Sequence, residues 1–111
     1  MKTFKISEEY SKTPGPRYES EGKFSGEHFR KTVLIGLYLA AVEKNEKVRI
    51  DLDGGYGYSP SFLEEAFGGL ARQYDIQSVK QVFIFVSNDE PSLVEEINEY
   101  IEYANSNIKE K

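Results

Sequence analysis

The chain has 111 residues, enough for one domain with a single core and too few for two. Its apolar and charged fractions, 39% and 30%, are those of a globular protein and not of a disordered one. The net charge of −5 is uneven: residues 1–45 carry 8 basic and 6 acidic side chains, and residues 46–111 carry 6 and 13. An acidic carboxyl-terminal half repels a phosphate backbone, so no nucleic-acid partner is expected. No apolar run reaches the roughly 20 residues that cross a bilayer, the longest being Thr32 to Val42, so no membrane span is expected. The start, Met1-Lys2-Thr3-Phe4-Lys5, has no apolar stretch after it, which predicts a cytoplasmic protein without a secretory signal. The absence of cysteine removes disulfides, zinc ribbons and thiol chemistry.

In chain order, Thr3 to Ser7 alternates apolar and polar side chains, as a short strand with one covered face does. Its edge offers a place for a second copy to pair, so a homodimer is one expectation. Glu8 to Ser25 contains Thr13-Pro14-Gly15-Pro16, which is incompatible with helix and reads as a loop, with a second short strand near Gly22-Lys23-Phe24. Residues 1–25 are thus a strand and a Pro/Gly loop leading into the rest of one domain. Ser25 is an N-cap for a helix from Gly26 to Lys44, with Glu27 in its first turn. Phe29, Val33, Leu37, Ala40 and Ala41 recur at helical spacing, and Leu34 and Tyr38 widen the stripe enough to bury most of this helix against a sheet.

Lys47 to Asp53 is the next strand, with Val48, Ile50 and Leu52 on one face and Arg49, Asp51 and Asp53 on the other. That alternation predicts one covered and one open face. Gly54-Gly55-Tyr56-Gly57-Tyr58 turns the chain into a second helix, whose stripe is Phe62, Leu63, Ala66, Phe67, Leu70, Ala71 and Tyr74. Two starts fit: Ser59 as N-cap with Pro60 in the first helical position, or a capping box of Ser61 and Glu64. Gly68-Gly69 weakens this helix by roughly 1 kcal/mol per glycine unless a close backbone contact needs them, or the helix ends early. Val79 to Val86 is the most strand-like run, and Val82, Phe83, Ile84, Phe85 and Val86 are apolar on both faces, which predicts a central or near-central strand. Asn88-Asp89-Glu90-Pro91 opens a last helix with Leu93, Val94, Ile97, Tyr100, Ile101 and Ala104 inward, and residues 106–111 form a frayed tail. The expected fold is α/β, a mostly parallel sheet of four strands (three to five) with about three helices mainly on one face.

This order, with the stretch from Val48 to Phe67, resembles the STAS fold of anti-sigma-factor antagonists and sulfate-transporter tails. There a strand ending in Asp or Asn leads to Asp-Ser-Ser-Gly-Leu at a helix start. In this chain Ile50-Asp51-Leu52-Asp53 takes the strand end and Ser59-Pro60-Ser61-Phe62-Leu63 takes the motif's place. The chain more closely resembles a bacterial and phage STAS-like family of unknown function. That resemblance covers Gly15-Pro16-Arg17, Ser25-Gly26-Glu27, Phe29-Arg30, Asp51-Leu52-Asp53-Gly54 and Ser61-Phe62-Leu63-Glu64-Glu65-Ala66-Phe67-Gly68. It implies a regulatory, protein-binding module, often encoded beside a histidine-kinase-like ATPase, which is therefore the implied partner. In the antagonists the first serine of the motif is phosphorylated. Here Pro60 stands in that place and has no hydroxyl, leaving Ser59 and Ser61 as the candidate phosphorylation sites, both also usable as helix caps.

Catalytic chemistry finds little support. Gly54, Gly55 and Gly57 before a helix form a candidate phosphate or small-ligand cradle, which is the alternative, nucleotide-sensing reading, although the lysine and spacing of a P-loop are absent. Asp51 and Asp53 share a strand face, whereas Glu64 and Glu65, as helical neighbours, are expected to point apart. His28 is the one histidine and has no nucleophile near it in sequence. No catalytic set, metal or cofactor is expected. Tyr56, Tyr58, Ser59, Ser61, Phe62 and Glu65 are the expected partner-contact residues, because aromatic rings in a glycine-rich loop are favoured at interfaces. The alternative for either tyrosine is to fold back onto the core.

Overall fold

Three four-residue strands make the sheet: β1 (Lys2–Lys5), β2 (Val48–Asp51) and β3 (Phe83–Val86), all parallel and in that spatial order. The computed structural model describes residues 1–105, so the expected frayed tail, 106–111, lies outside the described residues. Phe4, Ile50 and Phe85 form one row across the sheet and are buried, while Thr3, Arg49 and Ile84 form the next row and are exposed. The helices therefore cover one face and leave the other open, as the alternation in β2 predicts.

Five helices are present among the described residues. α1 (Ile6–Glu9) is a single turn that drives Ile6 into the core directly after β1. α2 spans residues 26–44 as Gly26–Phe29, a π-helical turn Arg30–Leu34 and Ile35–Lys44. Ser25 caps it by accepting the His28 N–H at 3.0 Å, and Asn45 ends it in the left-handed conformation, so both expected boundaries hold. α3 spans residues 60–73 and has the same construction, with a π-helical turn at Glu64–Gly68. α4 (Ile76–Val82) and α5 (Ser92–Glu102) complete the layer, α5 lying against the π turn of α3. Phe29, Phe62 and Phe67, each fully buried, meet at the centre of the core, Phe29 stacked on Phe62 and edge-on to Phe67.

Several expectations need correcting. Among the described residues the sheet has three strands, the low end of the expected three to five and not four, and there are five helices and not about three. The Gly22–Phe24 segment is not a strand: Phe24 has a φ of +55° and sets its ring edge-on to Tyr10 at 5.6 Å, closing the loop. Val79 to Val82 is helical, because Asp75 caps α4 by accepting the Ser78 N–H. β3 is an edge strand and not a central one; its apolar pair Ile84 and Val86 faces the open side of the sheet. In α2, Phe29 and Leu34 are buried five residues apart, because the π turn holds one residue more than an α turn. Tyr38 and Ala41 continue that stripe, whereas Val33 and Leu37 are half-buried.

Candidate partner-contact site

The carboxyl ends of the three strands meet at one edge of the molecule, where hydrogen bonds to backbone groups tie three loops together. Asp51 accepts the N–H of Asp53 at 2.9 Å. The Asp53 carboxylate accepts the N–H groups of Asn88 and Asp89, each at 2.8 Å, and the Asn88 side-chain amide at 3.1 Å. The Asp53 carbonyl accepts from the Ser7 hydroxyl at 2.9 Å. Hydrogen bonds from Asp89 and Asn88, with Lys5 nearby, hold the Asp53 carboxyl below the usual carboxylate range. The two aspartates are thus committed to fastening loops and do not converge as an acid/base or cation pair. Gly54 follows with a φ of +91°, and a Cβ there would lie 2.8 Å from the Ser7 hydroxyl, so only glycine fits this turn.

The glycine-rich turn is only partly available to a ligand. The Gly54 N–H is donated to Asp89 at 3.0 Å and the Tyr56 N–H to the Lys12 carbonyl at 2.9 Å. The cleft beside it, of about 200 Å³, is lined by Tyr56, Tyr58 and Leu93 together with the acidic side chains of Asp89 and Glu90. That is smaller than the ~300–1,000 Å³ of ordinary ligand pockets, and its carboxylates oppose a phosphate.

The expected contact residues separate into two groups. Tyr56 is 85% exposed at the tip of the turn. Ser59 and Pro60 are exposed and Ser61 is half-buried. Ser59 accepts the Phe62 N–H at 3.0 Å with Pro60 in the first helical position, which selects this start over the Ser61–Glu64 capping box. Tyr58 instead folds back: its hydroxyl donates to the Leu52 carbonyl at 3.0 Å, its ring lies 6.0 Å from Phe62, and burial pushes its pKa well above the ordinary tyrosine value. Phe62 is fully buried and Glu65 is 8% exposed, so neither presents a surface to a partner, and both must be withdrawn from the contact set.

Glu65 belongs with Glu64 to an ion cluster under the amino-terminal loop. Arg17 places one guanidinium nitrogen 2.6 Å from Glu64 and 3.4 Å from Glu65, so the two neighbours do address one point, contrary to the expectation from helix geometry. The cation sits between their diverging directions. Arg30 pairs with Glu65 at 2.8 Å and also donates to the Glu65 carbonyl and to Gln73. Arg72, not among the expected site residues, grips both oxygens of Glu64 from eight residues along the same helix, beyond the three- and four-residue spacings at which helical neighbours ordinarily meet. Close approaches accompany the cluster. A Cβ on Gly26 would meet the Phe62 carbonyl at 2.4 Å, one on Gly68 would meet Glu64 at 2.7 Å, and one on Gly69 would meet Arg30 at 2.8 Å. These contacts, and not an early helix end, explain the paired glycines. His28 is also structural in placement, its Nδ1 lying 2.7 Å from the Tyr10 hydroxyl, whose pKa burial and Glu19 push up to about 12.

The model of one protein family, described as a STAS-like domain of unknown function (DUF4325), matches residues 25–93. No curated protein and no solved structure matches the chain.

Proposed function

Because the chain belongs to the STAS-like domain family of unknown function, we propose that it is a non-enzymatic regulatory module that binds a protein partner through the carboxyl edge of its sheet. The contact surface comprises Tyr56, the turn around it and the exposed Ser59 at the start of α3. The partner type that the family resemblance supports is a histidine-kinase-like ATPase. One observation carries the reading: Tyr56 is 85% exposed on a loop whose backbone is fastened at Gly54 to Asp89 and at Tyr56 to Lys12. A large ring held out on a fixed loop presents area to a partner at low ordering cost. Ser59 and Ser61 remain the hydroxyls through which such a surface is regulated, and a phosphate on either falls at the amino end of α3, where the helix dipole favours it. The alternative of nucleotide sensing is weaker, since the turn has two N–H groups already bonded and two carboxylates beside its cleft.

Isothermal titration calorimetry against a histidine-kinase-like ATPase tests this. Tyr56→Ala is expected to weaken binding by about 2 kcal/mol, the scale of an interface hot spot, with thermal unfolding unchanged. Equal binding by both proteins would remove the site assignment. A panel of nucleotides that raises the unfolding temperature would favour the sensing alternative.

A further inference from the structure

The cleft beside the glycine-rich turn, of about 200 Å³, is small for a free ligand and of a size for one side chain. Its buried lining is apolar, from Leu52 and Leu93. The turn contributes the rings of Tyr56 and Tyr58, and the loop before α5 contributes Asp89 and Glu90. No basic side chain lines it, and neither acid has an ion pair among the described residues. Asp89 has a use within the chain, accepting the Gly54 N–H at 3.0 Å. The Glu90 carboxylate has none. The Glu90 backbone is fixed by the Ser87 hydroxyl, which donates to its carbonyl at 2.7 Å and accepts its N–H at 3.2 Å. Its side chain is exposed and makes no hydrogen bond among the described residues. A position just before α5 suits an anion, so the carboxylate needs no cation from its own chain.

Resting on the partner-contact reading above, we propose that this cleft receives an arginine side chain of the protein partner. Its methylenes lie on Leu52 and Leu93, and its guanidinium lies between the Tyr56 ring and the carboxylates of Asp89 and Glu90. Each part of the cleft answers a part of that side chain. A guanidinium is planar and weakly hydrated, stacks on an aromatic face, and offers a carboxylate two parallel N–H donors. Its three-carbon stem takes the apolar lining while the charge stays at the rim. A lysine ammonium, a more strongly hydrated point charge, uses the flat ring less well. The wider charge pattern acts in the same direction. Residues 46–111 carry 13 acidic and 6 basic side chains, so a basic segment of the partner is drawn toward this half of the chain. Tyr56 then supplies one wall of a seat for a particular side chain, and Glu90 joins it as a specificity residue outside the expected contact set.

The probe is Nα-acetyl-arginine amide, titrated into the isotope-labelled full chain and followed by amide chemical shifts, beside its neutral isostere Nα-acetyl-citrulline amide. The arginine probe is expected to shift Gly55, Gly57 and Glu90 saturably, with a Kd of roughly 10 mM that rises with salt. Glu90→Gln is expected to weaken probe binding about threefold to fivefold at an unchanged thermal midpoint. No saturable shift at the cleft overturns the proposal. So does an equal response to the citrulline probe, or a Glu90→Gln protein that binds the arginine probe as wild type does. Calorimetry with the histidine-kinase-like ATPase separates this proposal from the reading beneath it. Weakening by both Tyr56→Ala and Glu90→Gln supports the two together. A complex weakened by Tyr56→Ala but not by Glu90→Gln overturns this proposal alone, and one indifferent to both variants removes the contact reading and this proposal with it.

Discussion

Two clusters of charge flank the amino-terminal half of α3, and they are built oppositely. Beneath the amino-terminal loop, Arg17, Arg30 and Arg72 close on Glu64 and Glu65, charge upon charge, with both carboxylates 8% exposed. At the carboxyl edge of the sheet, Asp53 closes on the backbone N–H groups of Asn88 and Asp89, with no cation in hydrogen-bonding contact among the described residues. The first arrangement is costly to desolvate and fails badly if one member is lost; the second holds loops in place while leaving them in water. The difference teaches that much of the family-matched sequence in this chain is architectural. Within the stretch 61–68, Phe62 through Gly68 is buried, and the exposed surface comes from residues just before it.

Breaking each cluster in turn should reveal the contrast. The largest effect is expected from Glu64→Ala, which leaves Arg17 and Arg72 facing no carboxylate on that residue; a loss of roughly 3–5 kcal/mol should be measured by urea unfolding. Next is Ser59→Ala, which removes the cap of α3 and should lower stability by about 1 kcal/mol, whereas Ser59→Asp should keep most of it while altering the exposed surface. The Asp53 knot should show itself through pH. Its folded carboxyl titrates below its ordinary value, so between the two values the unfolded chain binds more protons than the folded one. Its contribution is complete above about pH 4, near the unfolded value, and is lost as pH falls through the folded one. Urea midpoints followed into acid should fall less steeply for Asp53→Asn than for wild type. The smallest effect on stability belongs to Tyr56→Ala, within about 0.5 kcal/mol, and that silence is what makes it a clean probe of binding.

Local signals in the sequence carried much of this. Ser25 before an apolar-periodic run marks the start of α2, and the alternation from Val48 to Asp53 shows which face of β2 is covered. What local patterns could not show depends on groups far apart in the chain. Arg17 reaches Glu64 across 47 positions, so no spacing rule reveals the pair, and two helical neighbours sharing a cation need a third group whose place is tertiary. Val82 to Val86 is continuously apolar because the chain changes from helix to strand there, and a periodicity that shifts inside a short run resembles a doubly covered strand. Phe62 stands on the apolar stripe of α3 and Tyr58 has folding back as its alternative, but the choice between core and contact surface depends on where Leu52 and the core lie.

The two π turns also have a meaning as insertions. A π turn accommodates one residue beyond an α turn, so Arg30–Leu34 is where a helix has absorbed an extra residue and closed around it. Removing one residue there would close the π turn into an α turn with the segments on either side keeping their faces, whereas removing one from the regular turns of Ile35–Lys44 would rotate everything before it by about 100° relative to everything after it. The second deletion would set Phe29, among Phe4, Tyr10, Phe62 and Phe67, and Arg30, on Glu65, against the last turns of the helix for the same buried face. In this chain where a helix carries its extra residue, and not only its composition, determines which aromatic ring fills the core.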